Sequence, residues 1–192
     1  MSGVQTLVET VFHDWQQDNV PHMADDDAWE IFVSWLVLRD FDVTLDALQD
    51  GIVDGSDDGG IDAIFTLIEG SIVPPDHKAV EDAKAAREMS EGLDLSLYII
   101  QAKNNTKFPQ SMVTSLHSIL PRALDLSNAL ATLVDELNPA VLEQLEIFRS
   151  AYRNLLSLRP KVSAKVIMAW RGFTENIHLN CTSRAIALRE KT

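Results

Sequence analysis

The sequence predicts an α/β fold in which a small mixed β-sheet is flanked by helices. Three observations lead there. Apolar residues at helical spacing fill the first 40 positions. Three short apolar, β-rich segments follow at 61–69, 95–102 and 162–170, the last two separated by a long stretch of helical periodicity. Strands and helices do not alternate regularly, and neither G-x-G-x-x-G nor G-x-x-x-x-G-K-[ST] occurs, so a doubly wound nucleotide-binding fold is not expected.

The elements read as follows. Val4, Leu7, Val8, Val11, Phe12 and Trp15 recur every three or four residues, which makes Val4–Gln17 an amphipathic helix. Asp25, Asp26 and Asp27 suit the start of a second helix, where the dipole favours negative charge. That helix runs over about 27–39 and carries Trp29, Phe32, Val33, Leu36 and Val37. Phe41–Leu45 reads as a short extended segment and Asp46–Val53 as a helical turn. Gly51, Gly55, Gly59 and Gly60 make 51–60 a loop. Ile61–Glu69 is a strand, Gly70–Asp76 with Pro74 and Pro75 a loop, and Lys78–Met89 a polar helical insertion. Leu95–Ala102 is mostly apolar, as a strand covered on both faces would be. Gln110–Leu137 and Ala140–Leu158 are helical, with a stop at Asn138-Pro139. Val162–Trp170 is a third strand, and the remaining residues suit a loop leading to another helix.

With 192 residues the chain is expected to form one domain: N-terminal helices over 1–40, a core over 41–108 and a helical segment with the last strand over 109–175. Its abrupt end suggests a longer protein with a further C-terminal domain. No apolar run reaches the ~18–20 residues of a membrane span, and the N-terminus lacks the pattern of a secretory signal. Cys181 is the single cysteine, so neither an internal disulfide nor a cysteine-based zinc site is available. A cytoplasmic setting is expected. The net charge of −13 argues against a simple nucleic-acid-binding domain, because phosphate contacts need Lys and Arg. Bound metal ions, or a basic domain elsewhere, would have to offset it.

The chemistry-bearing residues surround the loop Asp54-Gly55-Ser56-Asp57-Asp58-Gly59-Gly60-Ile61-Asp62. A calcium loop is disfavoured, since D-x-[DN]-x-[DN]-G is not met and no Glu stands at the twelfth position from Asp54 or Asp57. A solvated turn is the ordinary alternative, and it is preferred for Asp54, Asp57 and Asp58. Asp62 differs because it opens an apolar strand, where a carboxylate is costly to bury without a partner. Gln101 and Lys103 end the second strand and share a face by its period of two. If the two strands pair, Asp62, Gln101 and Lys103 converge at one end of the sheet. An Asp, a carbonyl oxygen and a Lys there suit a hard divalent cation together with an ammonium that orients water.

In this order the motifs resemble the PD-(D/E)XK nuclease superfamily, and in particular the Mrr-like branch with Gln in the acidic position. The helix supplies Trp29-Glu30-Ile31-Phe32, the strand entry Asp58-Gly59-Gly60-Ile61-Asp62, and the second strand Gln101-Ala102-Lys103. The phrase Gly51-Ile52-Val53-Asp54-Gly55, followed by D-G-G-I-D-A-I-F and I-I-Q-A-K-N, is similar to the N-terminal domain of AIPR-type abortive-infection phage-resistance proteins. The motifs span residues 26–105.

The resemblance implies a restriction-endonuclease-like core that hydrolyses phosphodiesters with Mg²⁺, Mn²⁺ being an alternative. The expected substrate is nucleic acid, DNA in preference to RNA, in anti-phage defence or restriction. Asp62 would be the main metal ligand and Gln101 would stand where most members carry Glu or Asp. Lys103 would be the catalytic lysine, and Glu30 would complete the metal shell. An exposed helix glutamate is the equal alternative for Glu30. The departure at Gln101, with the acidic charge, leaves open a catalytically inactive module for assembly or nucleic-acid sensing. The apolar face carried by Leu116, Ile119, Leu120, Leu124, Leu130, Leu133, Val134 and Leu137 could form a homodimer surface, although packing against the sheet is preferred.

Overall fold

A computed structural model describes residues 3–53, 55–106 and 110–172, together with Ile186. Asp54, Lys107, Cys181 and the expected C-terminal loop and helix lie outside the described residues. The chain begins with helices α1 (Gly3–Asn19), α2 (Asp25–Leu38) and α3 (Leu45–Asp50). Strands β1 (Ala63–Ile68) and β2 (Ser71–Ile72) follow, then two one-turn helices, α4 (Lys78–Glu81) and α5 (Ala83–Ala86), and strand β3 (Asp94–Lys103). Helices α6 (Gln110–Leu124) and α7 (Pro139–Leu155) lead to strand β4 (Lys161–Trp170).

Among the described residues the strands form one sheet in the order β2-β1-β3-β4. β1 pairs antiparallel with both β2 and β3, and β3 pairs parallel with β4. The sheet is therefore mixed, as the sequence predicts. Helices cover both faces. Ile64, Ile68, Leu95, Leu97 and Ile99 pack with residues of α6 and α7, including Leu116, Leu120, Leu145 and Phe148. Phe65, Leu67, Tyr98, Ile100 and Ala102 pack with Phe12, Trp29, Phe32 and Leu48 of α1, α2 and α3. This two-sided cover explains why β1 is buried at every position and is apolar at each of them except Thr66. Of the expected leucine-rich face, Leu116, Ile119 and Leu120 of α6 and Leu133 and Leu137 beyond it are buried in this core, Leu124 and Leu130 pack against it half-buried, and Val134 is exposed.

Aromatic packing fixes α1 against α2: Phe12 meets Trp29 edge-on at 5.3 Å and Phe32 at 5.4 Å. Gln16 Nε2 donates to Met23 O and to Asp25 Oδ1, joining the end of α1 to the acidic first turn of α2. On the opposite layer the buried Arg149 of α7 donates to Ala123 O, near the end of α6, and to Asn128 O. Its contact with the late helical carbonyl of Ala123 complements the dipole of α6.

Several expectations are corrected. Phe41–Leu45 forms no strand; Thr44 is instead the N-cap of α3, its side chain accepting from Ala47 N–H at 3.2 Å. The expected loop after β1 contains β2, which returns through Glu69 and Gly70, both at positive φ as a two-residue hairpin turn requires. The 78–89 insertion is broken at Asp82, whose carboxylate caps α5. The long helix from Gln110 stops at Leu124, where Asp125 accepts from Ser127 N–H and Oγ and from Asn128 Nδ2. This local bonding competes with the helix ladder. Asn138-Pro139 starts α7 rather than only ending a helix, with Asn138 as N-cap and Pro139 in the first turn.

Candidate metal and phosphodiester site

The site begins at the entry to β1. Asp62 immediately precedes β1. Its N–H donates to Ile100 O at 3.0 Å and its C=O accepts from Val53 N–H at 2.9 Å, so its backbone is held from both sides. Its side chain then takes a position in the ladder: Oδ2 accepts from Ala102 N–H at 2.7 Å. One step beyond the Ala63↔Ile100 pair, Asp62 faces the Gln101 position. Lys103 lies two residues further along the same strand face, and its Nζ sits 3.0 Å from Asp62 Oδ1. The sequence-predicted trio thus meets at one end of the sheet.

Burial divides these residues. The Asp62 side chain is 1% exposed and that of Lys103 is 34% exposed. Gln101 is buried, and its Oε1 accepts no hydrogen bond. Burial raises the Asp62 carboxyl above its ordinary 3.8, against the opposing pull of Ala102 N–H and Lys103. For Lys103 burial acts downward, but Asp62, with Asp58 and Glu30, outweighs it and the ammonium is raised. Both members of the pair shift upward, for different reasons.

Glu30 reaches the site from the other layer. It lies on α2 and is buried, which removes the exposed-glutamate alternative, and its charge supports the Lys103 ammonium. Asp26, Asp27, Glu30, Lys103, Asn104 and Asn105 line a polar groove of about 360 Å³ at this end of β3. Asn104 Nδ2 donates to Asp26 Oδ1 at 2.7 Å across it.

Gly55, Ser56 and Asp57 of the glycine-rich loop are exposed, as in a solvated turn, but its described residues make specific hydrogen bonds. Asp58 Oδ1 accepts from Gly60 N–H at 2.6 Å, and Asp58 O accepts from Ile61 N–H. The Asp58 charge is felt by both Asp62 and Lys103, a role that reading it as a turn residue did not foresee. Asp57 has φ 60, and its C=O accepts from Asn138 N–H at 2.7 Å. Asn138 Nδ2 also donates to Val53 O and Ser56 O, while Oδ1 caps α7 at Val141 N–H. Gly59, at φ +66, sits so close to Ile119 and Leu137 that a Cβ would come within 2.8 Å of both side chains. Asn138 was missed as a site-positioning residue; the only sequence signal was the Asn-Pro pair that starts a helix.

Among the described residues no three His, Cys, Asp or Glu side chains are grouped to hold a metal ion. The available donors are the Asp62 and Glu30 carboxylates and the Gln101 amide oxygen. Gln101 Oε1 fits a hard cation in kind, as a buried oxygen without a hydrogen bond. Asp62 fits only if Lys103 yields Oδ1, and the partial exposure of Lys103 gives that side chain room to do so. No family model, curated protein or solved structure matches the chain.

Proposed function

We propose that Asp62, Gln101, Lys103 and Glu30 form a metal-dependent phosphodiester-hydrolysing centre acting on nucleic acid, DNA in preference to RNA, in anti-phage defence or restriction. The observation that carries this reading is the 3.0 Å Lys103–Asp62 contact beside the unbonded Gln101 oxygen. Asp62, Gln101 and Glu30 would hold Mg²⁺ or Mn²⁺, which supplies Lewis-acid polarisation of the phosphate when bound. Lys103, released from Asp62, would orient the attacking water and stabilise charge developing on the phosphoryl oxygens. Ala102 N–H holds Asp62 in place throughout, and Asn138 holds the loop that brings Asp58 towards the pair.

A catalytically inactive module is the second reading. It is favoured by an Asp62 whose two oxygens already accept from Lys103 and Ala102. Calorimetry with Mn²⁺ separates the two. The catalytic reading expects a binding heat that Asp62→Ala and Glu30→Ala abolish. Absence of any metal-dependent heat in the wild-type chain supports the inactive module.

A further inference from the structure

We propose that the cavity between α3, the β1–β2 hairpin and α7 binds a small, largely apolar molecule that carries one hydrogen-bonding group, anchored by the Thr66 hydroxyl. The cavity exists because the edge of β1 is shared by two segments. Ile64 N–H donates to Gly51 O on one side, while Thr66 O accepts from Val73 N–H on the other. Pro74 and Pro75 follow Val73. They have no N–H to continue the ladder, so β2 cannot extend to close the gap between these two partners. Gln144 of α7 donates to Asp50 O at 2.9 Å and closes one side.

About 200 Å³ remains, walled by Ala47, Ile72, Val73, Pro75 and Ile147. An apolar cavity of about 150 Å³ is enough for a benzene-sized ligand. Thr66 also lines this space, is buried, and its Oγ1 has no hydrogen-bond partner. A hydroxyl held in that state is costly, and it can donate to or accept from a bound molecule. The apolar walls select a ring or short branched chain, and the single hydroxyl selects one polar substituent. This site is separate from the Asp62–Lys103 centre and does not depend on its activity.

The test titrates the full chain with benzyl alcohol and with toluene, read by saturation-transfer NMR. Both ligands should bind the wild-type protein. Thr66→Val, which keeps the shape and removes the hydroxyl, should weaken benzyl alcohol by about fivefold or more and leave toluene unchanged or tighter. Ala47→Leu, which fills the cavity from α3, should abolish binding of both while the chain remains folded by circular dichroism. If that variant does not fold, Ile147→Phe fills the space from α7 and should give the same result. Failure of both ligands to bind the wild-type chain overturns the proposal. So does an alcohol-to-toluene affinity ratio that Thr66→Val leaves unchanged.

Discussion

Lys103 and Asp62 are joined at 3.0 Å although one is a third exposed and the other is almost sealed from solvent. The carboxylate is fixed by the sheet, because Ala102 N–H bonds its second oxygen. The lysine is hydrogen-bonded to the carboxylate and otherwise feels only the charges of Asp58 and Glu30 among the described residues. The pair is therefore asymmetric: one partner is part of the ladder, while the other can leave and be hydrated. This asymmetry sets the expected response to pH.

Burial raises the Asp62 carboxyl above 3.8 in the folded chain. The folded state then holds this proton more tightly than the unfolded state does. The stability the group contributes is complete below its unfolded value, near 4, and is lost as pH rises through the folded value. Asp62→Asn cannot ionise, so its stability should improve relative to wild type as pH rises from 4 to 7. Urea denaturation at pH 4, 5, 6 and 7 measures the difference. A wild-type advantage that grows with pH would contradict the assignment of burial as the dominant influence.

Asn138 ties the loop to α7 through its backbone N–H, its amide Nδ2 and its capping Oδ1. Asn138→Ala should cost about 1–3 kcal/mol, from the lost cap and the carbonyls left without a donor. Asn138→Asp keeps the cap oxygen and loses the Nδ2 donor, so it should recover only part of this. Denaturant midpoints give the stabilities, and hydrogen exchange at Gly60 and Ile61 reads the loop. Unchanged exchange in Asn138→Ala would show that the loop is held by other contacts.

Arg149 is buried and donates to Ala123 O and Asn128 O. Arg149→Met preserves much of the stem and removes the charged donor, and should cost about 2–3 kcal/mol. The loss should appear in thermal or denaturant unfolding without any change in the Mn²⁺ affinity of the chain. A variant as stable as wild type would mean that water replaces the guanidinium at both carbonyls.

Gly51 has ordinary backbone geometry but no room for a side chain: an added Cβ would lie 2.1 Å from Phe65 Cε1. Gly51→Ala should therefore cost about 1–3 kcal/mol by forcing the Phe65 ring out of its packing. Gly3→Ala, at a position with nothing within 4 Å of an added Cβ, is the control and should be close to neutral. Equal denaturant midpoints for the two variants would contradict the crowding at Phe65.

What was legible in the sequence was what repeats along it. The helical spacing of Val4 to Trp15 and the apolar runs around Phe65, Ile99 and Val166 locate α1, β1, β3 and β4 within a few residues. The period of two puts Gln101 and Lys103 on one face, and Asp62 stands out as a charge in an apolar strand. What was not legible depends on partners distant in sequence. β2 is two residues long, too short to carry a pattern. The end of α6 at Leu124 was masked because Leu130 and Leu133 continue the apolar spacing in a 3-10 turn. Glu30 is buried by the tertiary packing of α2, and Asn138 reaches Val53 across 85 residues. The burial of Glu30 and the reach of Asn138 to Val53 are set by tertiary packing, which spacing along the chain does not show.

The proposed centre is tested most directly by incubating the full chain with plasmid DNA in Mg²⁺ or Mn²⁺ and following strand breakage on agarose gels. Metal-dependent cleavage should be present in the wild type, abolished by EDTA, and reduced at least about 10²-fold by Lys103→Ala and by Asp62→Ala, the scale on which loss of a charge-stabilising group acts. Cleavage that persists undiminished in both variants would contradict the assignment of this pair as the reacting centre.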